Sequence, residues 1–351
     1  MTTTYPGENT VFVALRDLRF AKGRFALMGS VVLLITLLVT MLSGLTEGLA
    51  RDSGSAVANL PADHIVFGGG EASFANSRIE QNTLRGWQDV PGVRAEPLGI
   101  SMGRLSYGAS GTPVALFGAE SGAPAAGQIV LSSELAGATG LKPGAEVEIS
   151  GRPFTVARTA GSASYSHSPV AWMPLGDWQA INRQPATVLL LHTTGDPDLR
   201  AGDARLGTTT VARQDARSAI PSYAAENGSL QLMRGFLFVI SALVIGAFFT
   251  VWTIQRRGDV AVLKALGAST GYLLRDALAQ AVLVLLAGAG LGGAIGAAGG
   301  LVIGDGVPFV VSAATTLVPV AVMILLGAAG AALAIRKITS VDPLTALGAA
   351  R

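Results

Sequence analysis

Cysteine is absent from all 351 residues, which excludes disulfides and thiolate metal centres. Histidine is scarce: His64, His167 and His192 are the whole supply, and no metal-cluster spacing accompanies them. Charge is scarce too. Asp, Glu, Lys and Arg make up 14% of the chain against 50% hydrophobic residues, too apolar for an ordinary soluble protein. No G-x-x-x-x-G-K-[ST] phosphate loop, paired-carboxylate site or nucleophile–base arrangement can be found, so the chain is not expected to be an enzyme or to hydrolyse ATP by itself. The net charge of +2 and the lack of a like-charge run in the polar middle give no footing for nucleic acid.

What is present is a set of long uncharged runs: Phe25 to Thr46, Gly235 to Gln255, Ala277 to Gly304 and Gly306 to Ile335. Each is long enough to cross a hydrocarbon layer as a helix. About 180 residues of mixed composition separate the first run from the second, enough for an independent domain. Short alternating stretches broken by Gly, Pro and Ser-Gly turns predict α+β structure there, with helical pieces at 79–90, 132–137 and 177–182. The fold class expected is a membrane protein of four transmembrane helices with a large extracytoplasmic α+β domain inserted between helices one and two.

The segments expected are an amphipathic cytoplasmic N-terminal helix over 1–24, a first span over 25–51, the inserted domain over 52–225 and a second span with its outer extension over 226–255. A cytoplasmic coupling loop over 256–276, spans three and four over 277–304 and 306–335, and a cytoplasmic tail over 336–351 complete the chain. Arg16, Arg19, Lys22 and Arg24 precede the first span, Arg256, Arg257, Lys264 and Arg275 lie between spans two and three, and Arg336 and Lys337 follow span four. The connection between spans three and four has Asp305 and no base. The positive-inside bias therefore predicts a multi-pass protein with both termini cytoplasmic and the inserted domain outside. The first run exceeds a usual signal-peptide core and is expected to stay as an anchor.

Gly288, Gly292, Gly296 and Gly300 recur every four residues in span three. That spacing puts them on one helix face and lets another backbone approach closely, within the chain or across a dimer. The loop after span two predicts a short helix whose apolar ridge is Val260, Leu263 and Leu266, ended by Gly267, a shape suited to docking on a partner. His64 and His192 sit at strand ends and read as structural; His167, in the turn ASYSHSP, remains a candidate ligand.

The order one span, large domain, three spans, together with the loop R-x-D-V-A-V-L-K-A-L-G-A over Asp259 to Ala268 and the terminal V-D-P-L-x-A-L from Val341 to Leu347, resembles the MacB/FtsX-like ABC transporter permeases. The stretches SGLTEGLARDS, YSHS at Tyr165 to Ser168, SYAAENGSLQLM and AFFTVWTIQ are similar to the haem-exporting HrtB-type members. The resemblance implies a homodimer in the plasma membrane with two copies of a separate ABC ATPase. It implies docking of that ATPase at Asp259, Val260, Leu263, Lys264, Leu266 and Gly267, and efflux of haem taken from membrane lipid. ATP would sit on the partner and haem would be cargo, not an intrinsic cofactor. Other family roles are regulation of an external cell-wall hydrolase, as in FtsX itself, or MacB-like drug or peptide efflux.

Without cysteine, a haem iron would look to His, Met, Tyr or a carboxylate. Glu226 and Met233 are the leading candidates, with Tyr223, Met28 and Arg234 behind them and Glu226, Met233 and His167 as iron ligands. If the helix starts early, Glu226 and Met233 share a face about 10 Å apart. One chain would not grip both faces of an iron with that pair, but two-fold symmetry could.

Overall fold

The computed structural model describes residues 22–255, 258, 262, 267, 269–303 and 307–339. Four of its helices are long and apolar enough to cross a membrane. They are α1 (Lys22–Ala58), α6 (Pro221–Gln255), α7 (Thr270–Ile303) and α8 (Ala313–Thr339). Two compact units result: residues up to Glu47 with those from Leu230 onward, and Gly48–Ser229. The expected coupling residues Asp259, Val260, Leu263, Lys264 and Leu266 lie outside the described residues, as do the N-terminal segment before Lys22 and the tail beyond Thr339. Gly267 is described, as a turn with φ of +95°.

In the first unit, small residues set how closely the helices pack. A Cβ added at Gly288, Gly292 or Gly296 of α7 would press on Val32, on the Leu33 carbonyl and Thr36, or on Thr40 of α1. The four-residue glycine repeat thus meets another helix of the same chain, and backbone approach replaces the hydrophobic drive that lipid cannot supply. Gly300 and Gly44 both face the ring of Phe309, and the Val310 amide donates to the Gly44 carbonyl at 3.1 Å. Phe249 and Trp252 of α6 join Met28 and Val32 of α1, Leu285 and Ala289 of α7, and Met323 of α8 in one buried cluster.

The second unit is a ten-stranded sheet with short helices. Its strands are β1 (His64–Gly68), β2 (Val93–Tyr107), β3 (Ser110–Ala119), β4 (Gln128–Leu131), β5 (Glu146–Ile149), β6 (Arg152–Thr159), β7 (Ser164–Tyr165), β8 (Ser168–Pro174), β9 (Val188–Thr193) and β10 (Thr208–Ala212). β2 is one unbroken 15-residue strand that hairpins into β3. Pro97 and Gly99 are accommodated because β2 pairs with β9 on one side and β3 on the other at staggered positions.

The order is β10-β1-β9-β2-β3-β8-β4-β6-β5. Because β5 pairs with both β6 and β2, the strands from β2 to β5 close on themselves. Closure removes an exposed edge. Inside lie Leu105, Leu116, Leu131, Phe154 and Trp178. Helices α2 (Gln81–Gln88), α3 (Ser133–Thr139), α4 (Leu175–Asn182) and α5 (Leu199–Leu206) fill in around the sheet, with Trp87 buried between α2, α5 and the sheet.

The continuous helices enter this core directly. Ala56, Val57 and Leu60, at and just beyond the end of α1, are buried with Phe67, Phe117, Tyr165 and Ile220, and Tyr223 in the first turn of α6 packs on the same cluster.

Candidate functional site

Strands β7 and β8 are joined by two residues, Ser166 and His167, with Tyr165 opposite Ser168. A two-residue hairpin favours a turn with both central residues at positive φ, which normally selects Asn-Gly or Gly-Gly. Here φ is +51° at Ser166 and +59° at His167. Non-glycine residues pay for that conformation, so the surroundings must hold it.

They do so from three directions. The Ser166 amide donates to the Ser53 carbonyl at 2.9 Å, and its hydroxyl pairs with Ser222 at 2.8 Å. At the hairpin base the Ser164 amide donates to the Ser55 hydroxyl at 2.9 Å. The Ser162 and Ser164 hydroxyls each donate to the Glu134 carboxylate at 2.5 Å.

The result is a fixed imidazole between two carboxylates. His167 Nδ1 lies 2.9 Å from Asp52 Oδ2, and Nε2 lies 2.8 and 2.9 Å from the two oxygens of Glu226. The Ser53 hydroxyl is 2.9 Å from Nε2 as well. A neutral imidazole has one N–H, so serving both carboxylates calls for the doubly protonated ring. Partial burial disfavours that cation, but the hydrogen bonds and charges of Asp52 and Glu226 outweigh it and hold the pKa above its ordinary value of 6.5. Asp52 and Ser53 come from α1, Ser222 and Glu226 from α6, and His167 from a hairpin between them in sequence.

The candidate residues thus fall into separate surroundings. Glu226 and His167 are brought together. Tyr223 sits one turn before Glu226, under the guanidinium of Arg217 at 5.5 Å from its ring centre. Met233 follows Glu226 by seven residues on the same continuous helix and is 53% exposed. Met28 is buried among Val32, Phe249 and Trp252. Arg234 donates to the Gln231 side chain. Among the described residues no group of three His, Asp or Glu side chains is arranged to hold a metal ion.

Residue-by-residue reading missed Asp52, Ser53 and Ser222. Their signal was present only as the family-like stretches around them, since their partners lie 56 to 115 residues away. His64 opens β1 and His192 lies in β9, 3.9 Å from Glu96. An open depression of about 460 Å³ beside His192, lined by Gly92, Val93, Arg94 and Thr194, holds no convergent set of groups beyond that pair.

Residues 232–343 match the family described as FtsX-like permease C-terminal. A Staphylococcus haemolyticus protein named as hemin transport system permease protein HrtB is 27% identical over 349 residues, covering 96% of this chain and 99% of the relative. An uncharacterised ABC transporter permease of Mycobacterium tuberculosis is 26% identical over 362 residues, with the same coverage. The crystal structure of the periplasmic region of MacB from Actinobacillus actinomycetemcomitans aligns at 12% identity and a TM-score of 0.35, over 45% of this chain and 92% of that one. The chain is a multi-pass membrane protein similar to ABC transporter permeases.

Proposed function

We propose that this chain is the permease subunit of an ABC-type exporter that removes haem from the membrane, driven by a separate ATPase through mechanical coupling. The observation that carries the mechanical part is the continuity of α1 and α6. They are 37 and 35 residues long, against roughly 20 needed to cross a bilayer. Each continues from its apolar stretch to residues packed in the core of the inserted domain. Nucleotide-driven movement of a partner ATPase on the loop after α6 is delivered along these helices to the domain outside.

The chemical part rests on Glu226 and Met233. An acidic residue near the outer end of a spanning helix is costly against lipid and belongs against a cavity, a partner or water. Haem offers a ferric iron that accepts a carboxylate or a thioether. Two protomers related by a two-fold axis bring such groups to one haem from both sides, with Tyr223 as a flanking contact and Arg234 positioned for a propionate; Met28 packs on Phe249 and Trp252 near the other end of α6 and takes no part. Haem partitions into lipid, so it enters laterally between spans one and two, and closure of the dimer expels it. The hemin-transport names of relatives that span nearly the whole chain support this choice of cargo.

The test is an absorption titration of the purified permease with haemin. A saturable Soret shift that is lost in Glu226→Ala or Met233→Ala supports the assignment. No saturable shift, or one unaffected by both substitutions, overturns it and favours an FtsX-like regulator of an external hydrolase or a pump for drugs or peptides.

A further inference from the structure

We infer that Phe309 is a positioning residue that latches α1 in register on α7, and that α1 slides by one helical turn toward the C-terminal end of α7 when the ring withdraws. This rests on the mechanical part of the proposed function and adds the step at which movement is released.

Contacts along the α1–α7 seam repeat every four residues on both helices. A Cβ added at Gly288 would meet the Gly29 carbonyl and Val32, one at Gly292 the Leu33 carbonyl and Thr36, and one at Gly296 Leu37 and Thr40. Moving α1 forward by four residues, about 6 Å, therefore lays Val32, Thr36 and Thr40 on Gly292, Gly296 and Gly300, which are glycines again. Moving it backward lays Val32 on Val284, and both of those side chains are already buried. The seam thus offers a second seat in the forward direction. One-turn shifts between two discrete seats are one way in which packed elements switch.

Polar groups do not tie the seam. Thr36, Thr40 and Ser43 lie on one face of α1 at 0%, 2% and 3% exposure, and among the described residues none of their hydroxyls has a hydrogen-bond partner. Elsewhere in the spanning helices a hydroxyl turns back to its own backbone: Thr46 donates to the Leu42 carbonyl at 2.7 Å and Thr250 to the Gly246 carbonyl at 2.8 Å. Three neighbouring hydroxyls left unmet in a sealed seam neither lock α1 to α7 nor favour the register they occupy.

Phe309 supplies the hold that they do not. Its ring fills the space that side chains at Gly44 and Gly300 would take, and the Val310 amide donates to the Gly44 carbonyl at 3.1 Å. In the forward seat Thr40 takes the place at Gly300, so Thr40 and the ring exclude each other there. Residues 307–312, ahead of α8, are not helical, and the ring can leave without unwinding a helix. Because α1 continues to Ala56 and Val57 in the core of the inserted domain, the slide is delivered to that domain.

The chain has no cysteine, so introduced pairs are its sole thiols. The full chain in lipid nanodiscs is oxidised with copper phenanthroline, and bridging is read from the free thiols that remain. Thr40→Cys with Gly296→Cys reports the register described here, since a Cβ at 296 lies 3.1 Å from that of Thr40, near disulfide spacing. Thr36→Cys with Gly296→Cys reports the forward seat, its partners standing one turn, about 6 Å, out of reach before the slide. Thr36→Cys with Gly288→Cys reports a backward slide. Each pair is measured with Phe309, Phe309→Leu and Phe309→Ala.

With Phe309 in place the first pair is expected to bridge fastest. Phe309→Ala should speed the forward pair about tenfold, the change produced by losing about 1.4 kcal/mol of latch stability, while slowing the first pair and leaving the backward pair unchanged. Phe309→Leu should fall in between, and it carries the comparison if Phe309→Ala does not give monodisperse protein. A forward pair that neither substitution speeds overturns the latch. Forward and backward pairs that quicken alike overturn it too, because that is plain loosening of the seam. Neither haemin nor an ATPase enters this measurement, so its failure strikes the latch and leaves the haem reading to the haemin titration.

Discussion

Replacing Gly44 by alanine isolates one packing decision in the membrane unit. A Cβ at Gly44 would fall inside the Phe309 ring, and so would one at Gly300 on α7. The ring must then leave its seat between the two helices. Overpacking of this kind costs about 1–3 kcal/mol, partly offset by about 1 kcal/mol because alanine is the better helix former. In a Phe309→Ala background the obstacle is gone, and Gly44→Ala becomes neutral or stabilising by up to about 1 kcal/mol. The two substitutions are therefore coupled by about 1–3 kcal/mol, the range expected for residues in contact.

Detergent-solubilised membrane proteins commonly unfold irreversibly, so the readout is the midpoint of thermal inactivation at one fixed heating rate for all four chains of the cycle. About 2–4 °C per kcal/mol is the scale for a cooperative unit of this size. Gly44→Ala should lower the midpoint in the parent and leave it level or raised beside Phe309→Ala. An equal loss in both backgrounds would refute the seat formed by Gly44, Gly300 and Phe309.

Other outcomes follow from the same contacts. Trp178 is fully buried, lies over Gly99 and Gly118, and donates from its indole nitrogen to Ser101 at 3.0 Å; Trp178→Ala should cost about 3–5 kcal/mol in chemical denaturation of the inserted domain. The buried Thr187 hydroxyl accepts from the Ile100 amide at 2.8 Å and donates to its carbonyl at 3.0 Å, so Thr187→Val should cost about 1–3 kcal/mol by stranding both backbone groups. Gly292→Leu would drive a side chain into the Leu33 carbonyl and Leu37 amide of α1, and a disulfide-free crosslink between α1 and α7 should form less efficiently than in the parent. The midpoint difference between wild type and His167→Asn should be largest at or below pH 6.5 and should shrink as pH rises through the raised pKa of His167, because the charged ring contributes only while protonated.

Much of the architecture is written in one-dimensional patterns. Uncharged runs locate the four long helices because length and lack of charge alone decide whether a helix suits hydrocarbon. The four-residue glycine repeat fixes a smooth face on α7 because a helix returns to the same face at that spacing. A turn at YSHS is legible because two short polar residues between strand-like segments have few other ways to connect. The full extent of α1 and α6 was less so, since their ends past the apolar runs are polar on the outside and are kept helical by Ala56, Val57 and Tyr223 packing in the domain core.

Other features depended on tertiary structure. Periodicity says that Gly292 needs a close neighbour, but not that Thr36 and Leu33 of α1 supply it. Strand patterning cannot disclose that β5 returns to pair with β2, because that pairing joins residues 44 or 42 positions apart through closure of a sheet. The candidate site is the clearest case. Glu226 and His167 stood out singly by residue type and place, yet Asp52, Glu226 and His167 come from three elements, and their separations of 59 and 115 residues carry no local signal. Sequence supplies a histidine at the tip of a turn; only the fold sets that tip between two helices, where both ring nitrogens meet carboxylates that favour the charged ring.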